Sequence, residues 1–193
     1  MDVVVFGAGS LGSLLGGLLA RAHDVTLVGR DPHVRTVRER GLDVGGEFSF
    51  TVHPAATTSV PDRADLALVT VKAFDTDAAA AALAAVDLGA CLSLQNGMGN
   101  EATLAAALDC PVLAGTCTYG ATLPAPGRVD CTGVGEVALG ARGGGHSATA
   151  DRVGRAVRAA GVETVVADDM PRRLWEKLAV NCGINATTAL ARV

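Results

Sequence analysis

The chain has little of what several function classes require. Its 193 residues include fourteen arginines but only two lysines, Lys72 and Lys177, and the formal net charge is −4. That balance disfavours nucleic acid as the main partner. No apolar run approaches the roughly 20 residues of a membrane span, so no membrane partner is expected. Met1-Asp2 leads straight into the first apolar run without the basic start of a secretory leader, and the expectation is a cytoplasmic protein. The five cysteines, Cys91, Cys110, Cys117, Cys131 and Cys182, lack C-x-x-C spacing and read as small buried hydrophobes. His23, His33, His53 and His146 lack ligand spacing, so no metal site is expected. No G-x-S-x-G elbow is present.

Against this background the two lysines stand out. Arginine keeps its proton in a protein, whereas burial can lower a lysine's pKa and fit it for acid–base work. The length suits one medium domain, or one domain with part of another.

The most informative stretch is Val3-Val4-Val5-Phe6-Gly7-Ala8-Gly9-Ser10-Leu11-Gly12: a buried strand, a glycine turn and the start of an apolar helix. In such a turn Gly7 permits the sharp reversal, Gly9 lets the backbone approach a pyrophosphate, and Gly12 lets the helix pack close to the strand, while the free N–H groups of the helix start face phosphate. Strand 3–6, helix 11–21 and strand 25–28 give β-α-β spacing. Cofactor choice is usually written at the end of the second strand, here Gly29-Arg30-Asp31-Pro32, a mixed signal in which Arg30 favours NADP and Asp31 could favour NAD. Asp31 before Pro32 suits the N-cap of a helix over 33–40. That leaves Arg30 to select the 2′-phosphate of NADP over the free ribose of NAD.

Farther along, 42–52 reads as a hairpin around Gly45-Gly46. Asp65 to Val71 reads as a buried parallel strand that delivers Lys72 to the carboxyl edge of the sheet, where ligands of open α/β sheets bind. A helix over 76–86 and a strand over 90–94 follow. Gln95-Asn96-Gly97 then forms a strand-to-helix loop that aims Asn96 at the same crevice, ahead of a helix to Leu108. Segments 112–119, 128–131 and 136–139 read as antiparallel additions to the sheet edge. A glycine joint at 143–145, an amphipathic helix over 149–160 and a strand over 162–166 complete a first domain, residues 1–167.

From Asp168 or Asp169, as cap, a helix enters through Pro171. It carries Lys177, Asn181 and Asn185 four residues apart. Each such step turns the helix by only about 40° beyond a full turn, so the three form one polar stripe among apolar residues, and aligned polar groups of this kind need partners. The chain reaches Val193 without a capping glycine or proline, and residues 168–193 read as the first helix of an interrupted second, helical domain.

Taken together, Gly7-Ala8-Gly9-Ser10-Leu11-Gly12, Arg30, Val71-Lys72-Ala73-Phe74, Gln95-Asn96-Gly97 and Trp175-Glu176-Lys177 with Asn181 and Asn185 resemble the ketopantoate reductase (2-dehydropantoate 2-reductase) family of pantothenate and coenzyme A synthesis. The resemblance spans the chain. It implies a Rossmann-type α/β fold and NADPH-dependent reduction of ketopantoate, a small keto acid. Lys177 would be the general acid, Asn181 and Asn185 would hold substrate, and Lys72 and Asn96 would line the crevice between cofactor and substrate. The family continues into a helical substrate domain of which this chain carries one helix, so weak turnover and a possible homo-oligomer are expected. Another NADP-dependent keto-acid or imine reductase, or a non-catalytic dinucleotide sensor, are the alternatives.

Overall fold

A computed structural model describes residues 1–192. Its elements are β1 (Asp2–Phe6), α1 (Ser10–Leu19), β2 (Asp24–Val28), α2 (His33–Arg40), β3 (Leu42–Gly46), β4 (Phe50–Val52), β5 (Ala55–Thr57), β6 (Arg63–Ala64), β7 (Leu66–Val69), α3 (Thr76–Leu83), β8 (Asp87–Leu88), β9 (Cys91–Ser93), α4 (Asn100–Ala107), β10 (Val112–Cys117), β11 (Gly120–Ala125), β12 (Arg128–Gly133), β13 (Val137–Ala141), α5 (Ala148–Ala159), β14 (Thr164–Val166) and α6 (Met170–Ala191). A short 3-10 turn at Ala73–Asp75 precedes α3.

The run Val3-Val4-Val5 makes a strand buried on both faces. Val3 and Val5 enter one core with α1 and α5, while Val4 enters a second core with Ala79, Ala80, Leu83 and Leu104 of α3 and α4. Both faces of β1 are therefore covered by helices, which is why its apolar residues are continuous rather than alternating. The main sheet has eight strands in the order β14-β13-β10-β9-β7-β1-β2-β5. From β5 to β10 all pairings are parallel. Those six strands follow the doubly wound order 3-2-1-4-5-6, which reverses direction between β1 and β7 and so opens a crevice at their carboxyl ends.

The sheet edge differs from the sequence expectation. β10 lies parallel to β9, and only β13 is antiparallel to its neighbour. β12 leaves the main sheet altogether and joins a second sheet, β11-β12-β3-β4, pairing parallel with β3. Residues 120–125, read as a loop around Pro124, form β11. The physical reason is burial of α1. Eight of its ten residues are buried, and the helix packs against β2 on one side and β11, β12 and β3 on the other. A helix apolar all round needs cover all round. The second sheet supplies it through Leu42, Val44, Val129 and Cys131, each at most 1% exposed. Arg128 ties the sheet's strands by reaching Asp43 at 3.1 Å and Asp130 at 3.0 Å.

Two expected caps also differ. Asp31 makes no cap to α2, which opens at Pro32 without a side-chain bond. Asp169 occupies the cap position of α6, but its carboxylate receives the Arg173 guanidinium at 2.9 Å instead of a backbone amide. That donor holds the Asp169 carboxyl below the usual range. The helix of 149–160 begins one residue earlier and is capped by Ser147, whose hydroxyl accepts from Ala150 N. Of the cysteines, Cys91, Cys117 and Cys131 are buried and Cys110 is half-buried, but Cys182 is exposed. It lies on α6 beyond Leu174, the last buried residue of that helix. No helix among the described residues is long and apolar enough to cross a membrane.

Candidate active site

The parallel strands deliver their loops to one edge. β1 ends in the glycine turn, β2 in Gly29-Arg30, β7 in Thr70-Val71-Lys72 and β9 in Leu94-Gln95-Asn96. The glycine turn is held from below. Gly7 N and Ala8 N both donate to Val28 O at 2.9 Å, and Thr70 Oγ1 donates to Gly7 O at 2.9 Å. Gly7 sits at φ +108°, a region L-residues avoid, and a Cβ there would lie 2.7 Å from Val71 Cγ1. At Gly12 a Cβ would run into the Gly7 carbonyl and lie 2.5 Å from Thr70 Oγ1. At Gly9 it would meet nothing closer than 4.0 Å.

Two of the three glycines are thus demanded by packing, and the third faces open space. Helix α1 opens at Gly9 with no side-chain cap and no acidic residue in its first turn, so its leading N–H groups, through Ser10, Leu11 and Gly12, are offered outward. The open face at Gly9, the uncapped amides and the absence of acidic charge fit a dinucleotide's pyrophosphate. Ala8 beneath them is buried.

Arg30 is free to meet a ligand: its side chain is 90% exposed and 3.7 Å from Asp75 on the neighbouring turn. Asp31 is exposed too, so both residues that can decide between NADP and NAD face solvent. Lys72 and Asn96 are exposed on adjacent loops, flanked by the exposed apolar side chains of Phe74 and Met98.

Lys177 reaches the same edge from the far end of the chain. Its Nζ donates to Cys117 O at 2.8 Å. Cys117 is the last residue of β10, which runs parallel to β9, so Lys177 sits over the strand next to the one that carries Asn96. The ammonium is half-buried, and burial pulls its pKa below the ordinary lysine range. A lysine so placed gives up its proton more readily than a solvated one. Asn181, one turn on, is half-buried, whereas Asn185 is exposed, about 12 Å along the helix axis from Lys177. The structure therefore brings Gly7 to Gly12, Arg30, Lys72, Asn96 and Lys177 to one edge and leaves Asn185 outside the packed body.

Sequence reasoning missed the residues that support these groups: Thr70, which anchors the glycine turn, Asp75 beside Arg30, and the side chains of Thr76, Gln95 and Asn100. Thr70 had a readable signal, a lone hydroxyl at the end of the apolar run 66–71. A cavity of about 420 Å³ lies elsewhere, among Asp2, His23, Asp24, His53 and Arg63. Those residues sit at or near the amino ends of β1, β2, β5 and β6, across the sheet from the glycine turn.

An open 3-2-1-4-5-6 sheet with a glycine turn at its switch point defines a protein of the Rossmann class, here with a lysine-bearing helix laid against its sixth strand. More particularly, the chain belongs to the ketopantoate reductase PanE/ApbA family, whose model matches residues 3–144. It is 46% identical over 201 residues to 2-dehydropantoate 2-reductase of Halobacterium salinarum, covering 100% of this chain and 66% of that protein. The enzyme of the same name from Archaeoglobus fulgidus is 41% identical over 192 residues, with 99% of this chain and 64% of the relative covered. The crystal structure of a PanE/ApbA family ketopantoate reductase from Ralstonia eutropha JMP134 superposes with a TM-score of 0.89 at 33% identity, covering 100% of this chain and 65% of that one. The chain thus spans just under two thirds of the length of these relatives.

Proposed function

We propose that this chain binds NADPH along the carboxyl edge of its sheet and serves the reduction of 2-dehydropantoate to pantoate, with Lys177 as proton donor. The observation that carries the reading is the bond from Lys177 Nζ to Cys117 O, which holds a half-buried ammonium beside the Asn96 loop.

The geometry supports the following roles. The glycine turn and the uncapped start of α1, Gly7, Ala8, Gly9, Ser10, Leu11 and Gly12, take the pyrophosphate. Arg30 takes the 2′-phosphate, the feature that separates NADPH from NADH. Lys72 and Asn96 line the crevice and orient the nicotinamide end against the keto acid. The dinucleotide, when bound, supplies the hydride. Lys177 neutralises the charge that gathers on the ketone oxygen and passes its proton there, completing the hydroxyl. Its cationic form also suits a carboxylate substrate. Asn181 and Asn185 continue the polar stripe toward that substrate. Residues 1–167 form the nucleotide-binding unit, and residues 168–193 begin the substrate-facing one. The exposed Trp175, Val180, Ile184 and Leu190 leave apolar surface on α6 against which that second unit can build.

Two measurements test this. In calorimetric titration Arg30→Ala weakens NADPH binding about tenfold, the order of one charge-assisted contact, and leaves NADH nearly unchanged. With 2-dehydropantoate, Lys177→Ala lowers the rate of NADPH oxidation by about 100-fold at unaltered NADPH affinity. Equal rates for the two proteins would refute the assignment of Lys177.

A further inference from the structure

Four polar side chains are buried behind the Lys72 and Asn96 loops, an expensive arrangement unless each finds a partner. Ser93, Gln95, Thr76 and Asn100 are all at most 4% exposed. They form one chain. Ser93 Oγ donates to Gln95 Oε1 at 3.1 Å, and Gln95 Nε2 donates to Thr76 Oγ1 at 2.7 Å. Thr76 Oγ1 lies 2.8 Å from Ala73 O and 2.9 Å from Asn100 Oδ1. Asn100 Nδ2 donates to Asn96 O at 3.1 Å.

The two ends of this chain are the informative part. Ala73 directly follows Lys72, and Asn96 is itself a candidate ligand of the crevice. Lys72 and Asn96 are both exposed, on loops from different strands. Behind them Thr76 reaches the Lys72 turn at Ala73 O and the Asn96 turn through Gln95, which directly precedes Asn96. Thr76 is the junction, because its hydroxyl accepts from Gln95 and holds one proton for either Ala73 O or the Asn100 side chain at the start of α4. A Gln or Thr that merely satisfied itself would need no continuation to both turns.

We infer that Thr76, with Gln95 and Asn100, is a positioning device that sets the Lys72 turn and the Asn96 turn at a fixed separation, so that both meet the nicotinamide nucleotide together. This rests on the reading that the edge binds NADPH. Thr76 touches neither nucleotide nor substrate. It acts through Lys72 and Asn96, and hydrogen bonds in a water-poor site are the sort that fix geometry to a fraction of an ångström.

The test is a mutant cycle read by NADPH titration. Thr76→Val keeps the shape and removes the hydroxyl. It is expected to weaken NADPH binding about tenfold, while Thr76→Ser restores affinity to within about threefold. In a Lys72→Ala/Asn96→Ala background, Thr76→Val is expected to cause no further loss, because the groups it positions are gone. A structural role alone would lower affinity equally in both backgrounds, and that result, or Thr76→Val binding within twofold of the parent, would overturn the inference. Gln95→Met, which keeps volume and removes the amide, enters the same cycle with the same expectations and stands in if Thr76→Val does not fold. Failure of the unaltered chain to bind NADPH would instead refute the underlying nucleotide reading.

Discussion

Gly12 and Gly9 belong to one glycine motif, yet the structure predicts opposite consequences for the same substitution. In Gly12→Ala the new methyl runs into the Gly7 carbonyl oxygen and lies 2.5 Å from Thr70 Oγ1. The first obstacle is backbone, already committed to Thr70 Oγ1 at 2.9 Å and Gly9 N at 2.7 Å, so it cannot rotate aside. Replacing glycine by alanine inside a helix would by itself gain about 1 kcal/mol. Relief of the overlap requires α1 to move off β1, and α1 has eight of its ten residues buried between two sheets. Overpacking of this kind costs typically about 1–3 kcal/mol as a net measured loss. At roughly 2–4 °C per kcal/mol for a chain of this size, a fall in midpoint of several degrees is expected. NADPH affinity falls with it, because the turn is displaced.

In Gly9→Ala the methyl meets nothing within 4.0 Å, and φ −83° with ψ −162° is open to alanine. Stability should stay within about 0.5 kcal/mol of the parent. Yet this methyl projects into the space that a pyrophosphate approaching the first amides of α1 must occupy, and binding should fall more than tenfold. Thermal unfolding by circular dichroism and NADPH calorimetry on the two variants separate the effects. A Gly12→Ala protein as stable as the parent would refute the close-packing argument. A Gly9→Ala protein with undiminished affinity would refute the cradle.

Two further outcomes concern titration. Because Lys72 and Lys177 are the only lysines, reductive methylation with a carbon-13 label gives each a resolvable signal; that of Lys177 should titrate below the ordinary lysine range because of its burial, and a normal midpoint would remove the physical basis for its acid role. His33 is buried and accepts Gly127 N at Nδ1 at 3.1 Å, which leaves Nε2 to donate to Ser13 Oγ at 2.9 Å. Burial lowers its pKa. Between that lowered value and the unfolded value of about 6.5, the unfolded chain takes the proton and the folded one does not. Stability is therefore full above this interval and declines as pH falls through it. Urea unfolding from pH 7 to 5 should show a shallower decline for His33→Gln than for the parent, and an identical slope would count against the assignment.

The parallel strands and the glycine turn were legible because their signals are local. A β-branched run, a glycine turn and an apolar helix specify β1 and α1 to within a residue or two, and the expected strand ends at Val71 and Leu94, each within two residues of the observed ones, announced that Lys72 and Asn96 share an edge. Partnership of the second sheet was not legible, since β12 pairs with β3 some 85 residues away, and a strand's own pattern says which face is buried but not which strand lies beside it. The run Leu14-Leu15-Gly16-Gly17-Leu18-Leu19 held a clue: a helix apolar on every side needs two layers, and the expected fold offered only one. Asp31 shows the opposite failure, where good cap chemistry in the sequence is unused because Pro32, one residue on, occupies the cap position of α2. The Thr76–Gln95–Asn100 chain was invisible because none of its members carries chemistry alone; each acquires meaning only from partners on other elements.

The placement of Lys177 separates two properties that the sequence ran together in one stripe. On α6 the last buried residue is Leu174; Lys177 is half-buried and tied to the body by its bond to Cys117 O, whereas Asn185 stands clear of it. The influence that lowers the Lys177 pKa, burial against the end of β10, thus comes from the main sheet itself. In the proposed reaction, acid strength is set by the same sheet edge that would hold the cofactor, while substrate choice falls to Asn181, Asn185 and whatever covers the exposed Trp175, Val180 and Ile184. A change in that cover should alter which keto acid is accepted far more than it alters the pH at which Lys177 loses its proton.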